Sequence, residues 1–196
     1  MLYSEIWPLF NLSLPKDANI FIDAGNVGAQ AMHHLEVNGQ NICYLSLAMG
    51  AMGNSLGVAL GATFKSKKKS VVIIGDGSFL ISGFEIHTAI EHQLPVVIFI
   101  FNNHSHGMCS TREKIFFHQE SGLNNYGPID FAQGLRAMFP SLITYDVHSM
   151  NQLKEVFNQC YQQKGPVAVS IQVDNSEIPP FLTFQNKGNT NAKPTS

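Results

Sequence analysis

The sequence is short of cysteines, of charged residues and of long apolar runs. Its three cysteines lie far apart with no Cys-x-x-Cys pair, so we expect no disulfide framework and no zinc knuckle, as in a reducing cytoplasm. Charged residues make up only 13% of the chain and the net charge is −2, which leaves no broad basic surface for nucleic acid. The longest apolar run, residues 96–101, is far shorter than the roughly 20 residues of a membrane span, so we expect a soluble protein.

Six segments rich in β-branched and aromatic residues recur along the chain, with helical patterns between them. Several are apolar at consecutive positions, which is typical of strands buried on both faces of a parallel sheet. The alternation predicts an α/β domain with a doubly wound, mostly parallel six-stranded sheet, helices on both faces and ligands at the carboxyl ends of the strands. The segments are residues 20–22, 42–45, 71–74, 96–101, 142–145 and 167–173. The last comes closest to alternation, which predicts a position near the sheet edge.

The same patterns give the domain organisation. Residues 1–181 are expected to form one domain, and residues 182–196, which are polar and without periodicity, a mobile tail. Ser149, followed three residues later by Gln152, predicts the start of a helix with its apolar residues on one face.

A turn of sequence Gly-Asp-Gly-Ser, residues 75–78, joins one apolar segment to a helical pattern. Its glycines let the backbone approach an anion closely, and the start of a helix offers free N–H groups, which together favour a phosphate. Because Asp76 would repel a bare phosphate, we expect a divalent cation between them, although such turns also occur with no ligand. Asn102 and Asn103 follow the next segment, with 24 residues between Gly77 and Asn102, so Asp76 and Asn103 should meet at the carboxyl ends of adjacent strands.

The turn, the gap of 24 residues and the asparagine pair resemble the signature of thiamine diphosphate-dependent enzymes, in their pyrophosphate-binding (C-terminal) domain. The resemblance runs from about Leu14 to Phe181. Residues 14–26 resemble the opening strand and diphosphate loop of that domain, and residues 50–61 resemble its glycine-rich segment. Residues 102–108 and 164–167 are most similar to acetolactate (acetohydroxyacid) synthases, which implies the thiamine diphosphate-binding fold and a 2-oxo acid decarboxylase/carboligase.

The resemblance implies a role for particular residues. Asp76 and Asn103 would bind Mg²⁺ through their side chains and Ser105 through its backbone carbonyl. Met52 would support the bent cofactor, and the Gly50 carbonyl would accept a hydrogen bond from its 4′-amino group. The other cofactor-binding residues would hold the diphosphate or lie beside the rings: Gly25, Asn26, Gly75, Gly77, Ser78, Gly107 and Met108.

The resemblance also implies a partner. The family needs a glutamate opposite N1′ of the pyrimidine, and that residue belongs to a separate pyrimidine-binding domain about as long as this chain. We therefore expect a split enzyme, in which a pyrimidine-domain subunit completes the active site of a hetero-oligomer with two copies of each chain. Its substrate would be a small 2-oxo acid such as pyruvate.

The catalytic and substrate residues of this chain are less defined. His104 and His106 flank Ser105 and are candidate proton donors or carboxylate anchors. Arg112 stands where the synthases carry a tryptophan, so it is either a residue that grips an anionic substrate or a surface arginine. Two alternatives stay open: a subunit of a non-ligating decarboxylase of the sulfopyruvate type, and a cofactor-binding regulatory module without turnover. The intact Asp76 and Asn103 argue against the module.

Overall fold

The computed structural model describes residues 1–46 and 49–181. In these two ranges, six strands alternate with eight α-helices. The strands are β1 (Asn19–Ile22), β2 (Cys43–Leu45), β3 (Ser70–Gly75), β4 (Val96–Asn102), β5 (Ile143–Val147) and β6 (Val167–Gln172). The helices are α1 (Tyr3–Ser13), α2 (Asn26–His34), α3 (Asn54–Ser66), α4 (Asp76–Ser82), α5 (Ile86–Glu91), α6 (Gly107–Arg112), α7 (Phe131–Met138) and α8 (Met150–Cys160). A 3₁₀ turn, Gly83–Glu85, joins α4 to α5, and a π-helical turn, Glu113–Phe117, follows α6.

The six strands form one sheet in the order β2-β1-β3-β4-β6-β5, and every neighbouring pair is parallel. The prediction of a doubly wound parallel sheet is therefore confirmed. From β1 the chain moves outward to β2, and it then returns to the other side of β1 as β3. This reversal opens a crevice at the carboxyl ends of β1 and β3, which is where such sheets bind ligands.

The central strands are buried on both faces because their side chains alternate between two apolar layers. In β4, Val97, Phe99 and Phe101 pack on the side of α1, α2 and α8. Val96, Ile98 and Ile100 pack on the side of α3, α4, α5 and α7. This arrangement explains the uninterrupted apolar run, and it confirms that helices cover both faces.

The last strand was predicted near the sheet edge, and β6 is the second strand from one edge. β6 pairs with both β4 and β5, and β5 and β2 are the edge strands. Ala168 and Ser170 cause the near-alternation of β6, and both are buried. Their small side chains leave room for the helices that pack on this part of the sheet.

The predicted start of α8 is confirmed. Ser149 is its N-cap, and the Ser149 side chain accepts a hydrogen bond from the backbone N–H of Gln152. Gln152 bonds back through its side chain to the backbone N–H of His148 at 2.8 Å, one residue before the cap. The predicted tail, residues 182–196, lies outside the described residues. In the described part of the chain, no helix is long and apolar enough to cross a membrane.

Candidate functional site

An open cavity lies at the carboxyl ends of β1, β3 and β4. It brings together most of the residues that the sequence singled out: Gly25, Asn26, Met52, Gly75, Asp76, Gly77, Ser78, Asn103, Ser105, His106, Gly107 and Met108. Gly50, His104 and Arg112 are outside its lining. The site thus draws on the loops after three neighbouring strands and on the loop before α3.

Asp76 is the buried acidic group of the cavity, with only 2% of its surface exposed. One carboxylate oxygen accepts the backbone N–H of Gly77 at 2.8 Å. The other accepts the N–H groups of Asn103 at 3.0 Å and His104 at 2.7 Å. Burial raises the pKa of Asp76, while these hydrogen bonds and the nearby Tyr126 hydroxyl oppose the rise. Among the residues described, Asp76 takes part in no salt bridge, so its charge has dipolar partners but no cation.

Asn103 lies beside Asp76 because Gly75 of β3 pairs with Phe101 of β4, so the two strands end together. Its amide nitrogen donates to Asn175 Oδ1 at 3.1 Å, and its amide oxygen accepts the backbone N–H of Ser105 at 3.1 Å. A short antiparallel bridge joins Ser105 to Asn125. Its hydrogen bonds run between the backbones of the flanking residues and do not use the Ser105 carbonyl. The carboxylate, the amide oxygen and this carbonyl form a set of hard oxygen donors.

Gly25 and Asn26 open α2 on the far side of the cavity. Gly25 adopts φ 110° and ψ −169°, a conformation that favours glycine. No side chain among the described residues caps the start of this helix. Asn26 is buried, and its amide nitrogen lies 3.0 Å from Thr111 Oγ1. Its amide oxygen has no hydrogen-bond partner among the described residues. Since the Thr111 hydroxyl can donate as well as accept, the amide can turn and present its N–H to the cavity.

Met52 enters the cavity from the loop before α3. It is 37% exposed, so it is not a core methionine, and its methyl group would lie 3.4 Å from a Cβ placed on Gly77. The next residue, Gly53, adopts a left-handed conformation and donates its N–H to Asp23 Oδ1 at 2.9 Å. Asp23 Oδ2 accepts the N–H of Ser55, also at 2.9 Å. No sequence pattern indicates this contact, because the partners of Asp23 are backbone groups about 30 residues away.

Two tyrosines near Asp76 were also missed. Tyr3 of α1 lines the cavity and stacks on Phe101 with ring centroids 5.7 Å apart. The Tyr126 hydroxyl is buried and makes no hydrogen bond of good geometry with any described residue. It lies near enough to Asp76 for each group to shift the pKa of the other. Burial, with the Asp76 charge as a smaller cause, raises the pKa of both tyrosines. The spacing of buried Tyr3, Ile6, Trp7 and Phe10 is helical, and this signal could have revealed α1.

The histidine and arginine candidates occupy different environments. His106 lines the cavity, and its Nδ1 would lie 2.6 Å from a Cβ on Gly77, so the ring rests against the glycine turn. His104 adopts a positive φ of 55°, and its buried Nδ1 has no hydrogen-bond partner in the part of the chain that the structure describes. Arg112 ends α6 as an exposed residue away from the cavity. Gly50 is exposed with φ 62°.

A family model described as "Thiamine pyrophosphate enzyme, C-terminal TPP binding domain" matches residues 23–171. The chain belongs to this family. The match begins directly after β1, ends in β6 and includes every residue of the cavity lining except Tyr3. The predicted resemblance to thiamine diphosphate-dependent enzymes is therefore confirmed.

Sequence relatives of this thiamine diphosphate family member include proteins named acetolactate synthases, the group to which the motifs are most similar. An acetolactate synthase from Bacillus subtilis (strain 168) is 29% identical over 134 residues, which are 68% of this chain and 23% of that protein. A probable acetolactate synthase large subunit from Methanococcus aeolicus is 26% identical over 187 residues, 90% of this chain and 30% of that protein. The chain therefore spans less than a third of the length of either relative.

The fold matches a solved structure as well. Benzoylformate decarboxylase from Polynucleobacter necessarius superimposes with a TM-score of 0.80 at 17% identity, over 89% of this chain and 33% of that one. At this identity the likeness concerns the fold, and it agrees with the thiamine diphosphate-binding fold expected from the sequence.

Proposed function

We propose that this chain binds thiamine diphosphate and Mg²⁺ and forms the diphosphate half of an active site that decarboxylates a 2-oxo acid. The observation that carries the proposal is the meeting of Asp76 and Asn103 at the ends of adjacent strands, in a cavity that also contains the open N-terminus of α2. In acetolactate synthase-like chemistry, the acyl unit left by decarboxylation passes to an acceptor carbonyl.

The donor set fits Mg²⁺. Asp76 Oδ1 accepts a single N–H group among the contacts described, so it keeps a lone pair for a cation. The Asn103 amide is oriented by the backbone N–H of Ser105, which can bond only to its oxygen. These two side chains and the Ser105 carbonyl would hold Mg²⁺, leaving the remaining octahedral positions for diphosphate oxygens and water. A cation there would offset the cost of burying the Asp76 charge.

The opposite wall fits a diphosphate. Within residues 1–46 and 49–181, no side chain caps the start of α2 and the Asn26 amide oxygen has no partner. Turning this amide therefore brings a donor to the cavity. Gly107 permits close packing here, because a Cβ on it would lie 2.7 Å from Asn103 Nδ2 and 3.0 Å from Asn26 Nδ2. Gly25, Asn26, Gly77 and Ser78 would hold the diphosphate through N–H groups and the hydroxyl.

Thiamine diphosphate, when bound, supplies the carbon nucleophile for the 2-oxo acid and stabilises the electron pair released by decarboxylation. This chain orients that cofactor: Met52 would support its rings, and Met108 would lie beside them. His106, at the cavity, is the better placed of the two histidines to donate a proton or to anchor a carboxylate. Arg112 is exposed and lies outside the cavity, and its contacts within the described residues do not support a substrate role.

We further propose that a pyrimidine-binding subunit completes the site, with two copies of each chain in the assembly. No glutamate is among the residues that line the cavity in the described chain, so the group that activates the pyrimidine would come from elsewhere. An apolar groove lined by Phe79 and Leu135 is flanked by large apolar side chains whose exposed fractions are 49% to 65%. These side chains are Leu80, Ile81, Phe84 and Met138. Such a surface is typical of one covered by another domain.

The test combines this chain with a separately encoded chain that carries the pyrimidine-domain glutamate. We expect release of CO₂ from pyruvate by the mixture, by neither chain alone, and not by a mixture made with Asp76→Ala. Activity of this chain by itself would contradict the partner, and an inactive mixture that still binds both cofactors would favour the module without turnover. Product analysis separates the two enzymatic alternatives: a hydroxy-oxo acid means ligation, and an aldehyde alone means simple decarboxylation.

A further inference from the structure

Asp23 is a fully buried carboxylate, 0% exposed, directly after β1. Each of its oxygens accepts one backbone N–H, from Gly53 and from Ser55, and in the described residues it has no cationic partner. We propose that Asp23 is a positioning residue that fixes Met52 in the cavity. This inference rests on the proposed function for the role of Met52, while the contact itself does not depend on it.

The contact acts on Met52 through the peptide bond that follows it. The Gly53 N–H belongs to the same rigid plane as the Met52 carbonyl, so the hydrogen bond to Asp23 sets the orientation of that plane. Gly53 is also packed against α4, because a Cβ on it would lie 2.9 Å from Ser82 Oγ and 3.3 Å from the Ser78 carbonyl oxygen. Further back in the loop, Ser46 Oγ donates to the Ala51 carbonyl at 3.0 Å. Met52 is therefore held from both sides.

Asp23 also connects the two ends of the proposed cofactor site, which are the diphosphate wall and the loop that carries Met52. Its backbone is clamped by α2, because a Cβ on Gly28 would lie 2.2 Å from the Asp23 carbonyl oxygen. Two residues further on, Gly25 and Asn26 form the diphosphate wall. The backbone of Asp23 thus contacts α2 at the diphosphate end, and its side chain holds the loop of Met52. This residue therefore sets the distance between the diphosphate wall and Met52.

A helix cap without influence on the cavity is the competing explanation, and the chain offers a matched control for it. Asp130 caps α7 by accepting the Gln133 N–H at 2.8 Å, and it does not line the candidate site. In both Asp23→Asn and Asp130→Asn the shape is kept. At Asp23, however, an amide NH₂ group would face one of the two backbone donors, and one hydrogen bond would be lost.

The first experiment compares two probes by calorimetry in the presence of Mg²⁺: thiamine diphosphate, which needs the Met52 end, and inorganic pyrophosphate, which does not. Asp23→Asn is expected to weaken thiamine diphosphate binding by about tenfold and pyrophosphate binding by less than about threefold. Met52→Ala should act in the same way, and the double variant should lose no more than the worse single variant. Asp130→Asn should change neither affinity. Equal weakening of both probes, or no weakening of either, would overturn the proposal.

The second experiment needs no ligand, so it separates failure of this inference from failure of the proposed function. If the wild-type chain binds neither probe, the proposed function fails, and the Met52 methyl signal in the NMR spectrum of the ligand-free protein still tests Asp23. We expect that signal to shift in Asp23→Asn and to stay in place in Asp130→Asn. An unchanged signal contradicts the inference. If Asp23→Asn and Asp23→Ser both fail to fold, amide exchange of wild-type Gly53 and Ser55 decides: slow exchange supports the contact, and exchange as fast as in an open loop refutes it.

Discussion

Asp76 is a buried carboxylate whose partners are backbone N–H groups, and this makes it the residue on which metal binding depends. The isosteric change Asp76→Asn removes the charge and leaves one oxygen for three backbone donors. We expect it to weaken Mg²⁺-dependent binding of thiamine diphosphate by more than about 100-fold in calorimetry, since even partners of metal ligands contribute tenfold or more. Asp146→Asn, on strand β5 outside the cavity, is the control, and equal binding by the two variants would remove Asp76 from the metal site.

Pairs of side chains at strand ends were predictable, whereas contacts between side chains and distant backbone were not. Asp76 and Asn103 follow consecutive buried strands, so the rules for parallel sheets are enough to bring them together. Asp23 bonds to N–H groups of Gly53 and Ser55, and Asn175 bonds to Asn103 from a segment 72 residues away. The direction of such groups is set by the folded loops, and no periodicity in the sequence records it.

Cys160 gives the protein a pH dependence at the alkaline end. Burial raises the pKa of this thiol from 9.0 to about 12. Above pH 9 the unfolded chain loses the thiol proton while the folded chain keeps it, so stability falls as the pH rises through this window, by at most about 1.4 kcal/mol per pH unit. We expect urea unfolding between pH 9 and 10 to show a smaller loss of stability in Cys160→Ala than in the wild type. Cys109→Ala, which removes an exposed thiol, should follow the wild type, and identical slopes for all three proteins would contradict this account.

At the scale of elements, the strands were easier to predict than the helix that opens the chain. All six strands came from apolar runs and differ from the structure by a few residues at their ends. Helix α1 was overlooked, because it contains Pro8 and its N-cap is Leu2, so it lacks an ordinary start signal. Its free N–H groups are satisfied from the other end of the domain, by Glu177, through hydrogen bonds to Tyr3 at 2.6 Å and to Ser4 at 3.2 Å.

This long-range cap is expected to stabilise α1. Glu177→Ala should lower the free energy of unfolding by about 1 kcal/mol, as the loss of a charged cap does. It should also speed amide exchange at Tyr3 and Ser4, which hydrogen-exchange mass spectrometry of the N-terminal peptide measures. Glu155→Ala on the exposed face of α8 is the control, and we expect it to leave both quantities unchanged. A Glu177→Ala protein with wild-type stability would mean that water replaces the carboxylate at no cost.

At the scale of the whole molecule, the proposed cofactor would contact the loops after three strands and the loop before α3 at the same time. Mg²⁺ with thiamine diphosphate should stabilise the folded chain by about 2.7 kcal/mol at a ligand concentration of 100 times Kd. A thermal melt should therefore shift upward in their presence. Thiamine, which lacks the diphosphate, should give no comparable shift with Mg²⁺ at the same concentration. An equal shift with thiamine would mean that binding does not use the diphosphate wall at Gly25 and Asn26.

The reversal of the chain between β1 and β3 has a consequence for kinetics. The β1–β3 pairing joins residues about 50 positions apart, and a sheet built from such pairings forms slowly because the loops must close first. A ligand at the carboxyl ends of both strands touches the finished crevice, which does not exist until they are side by side. Such a ligand would therefore lower the unfolding rate and leave the folding rate nearly unchanged. Cofactor supply would then determine the lifetime of the folded molecule and not the time it needs to fold.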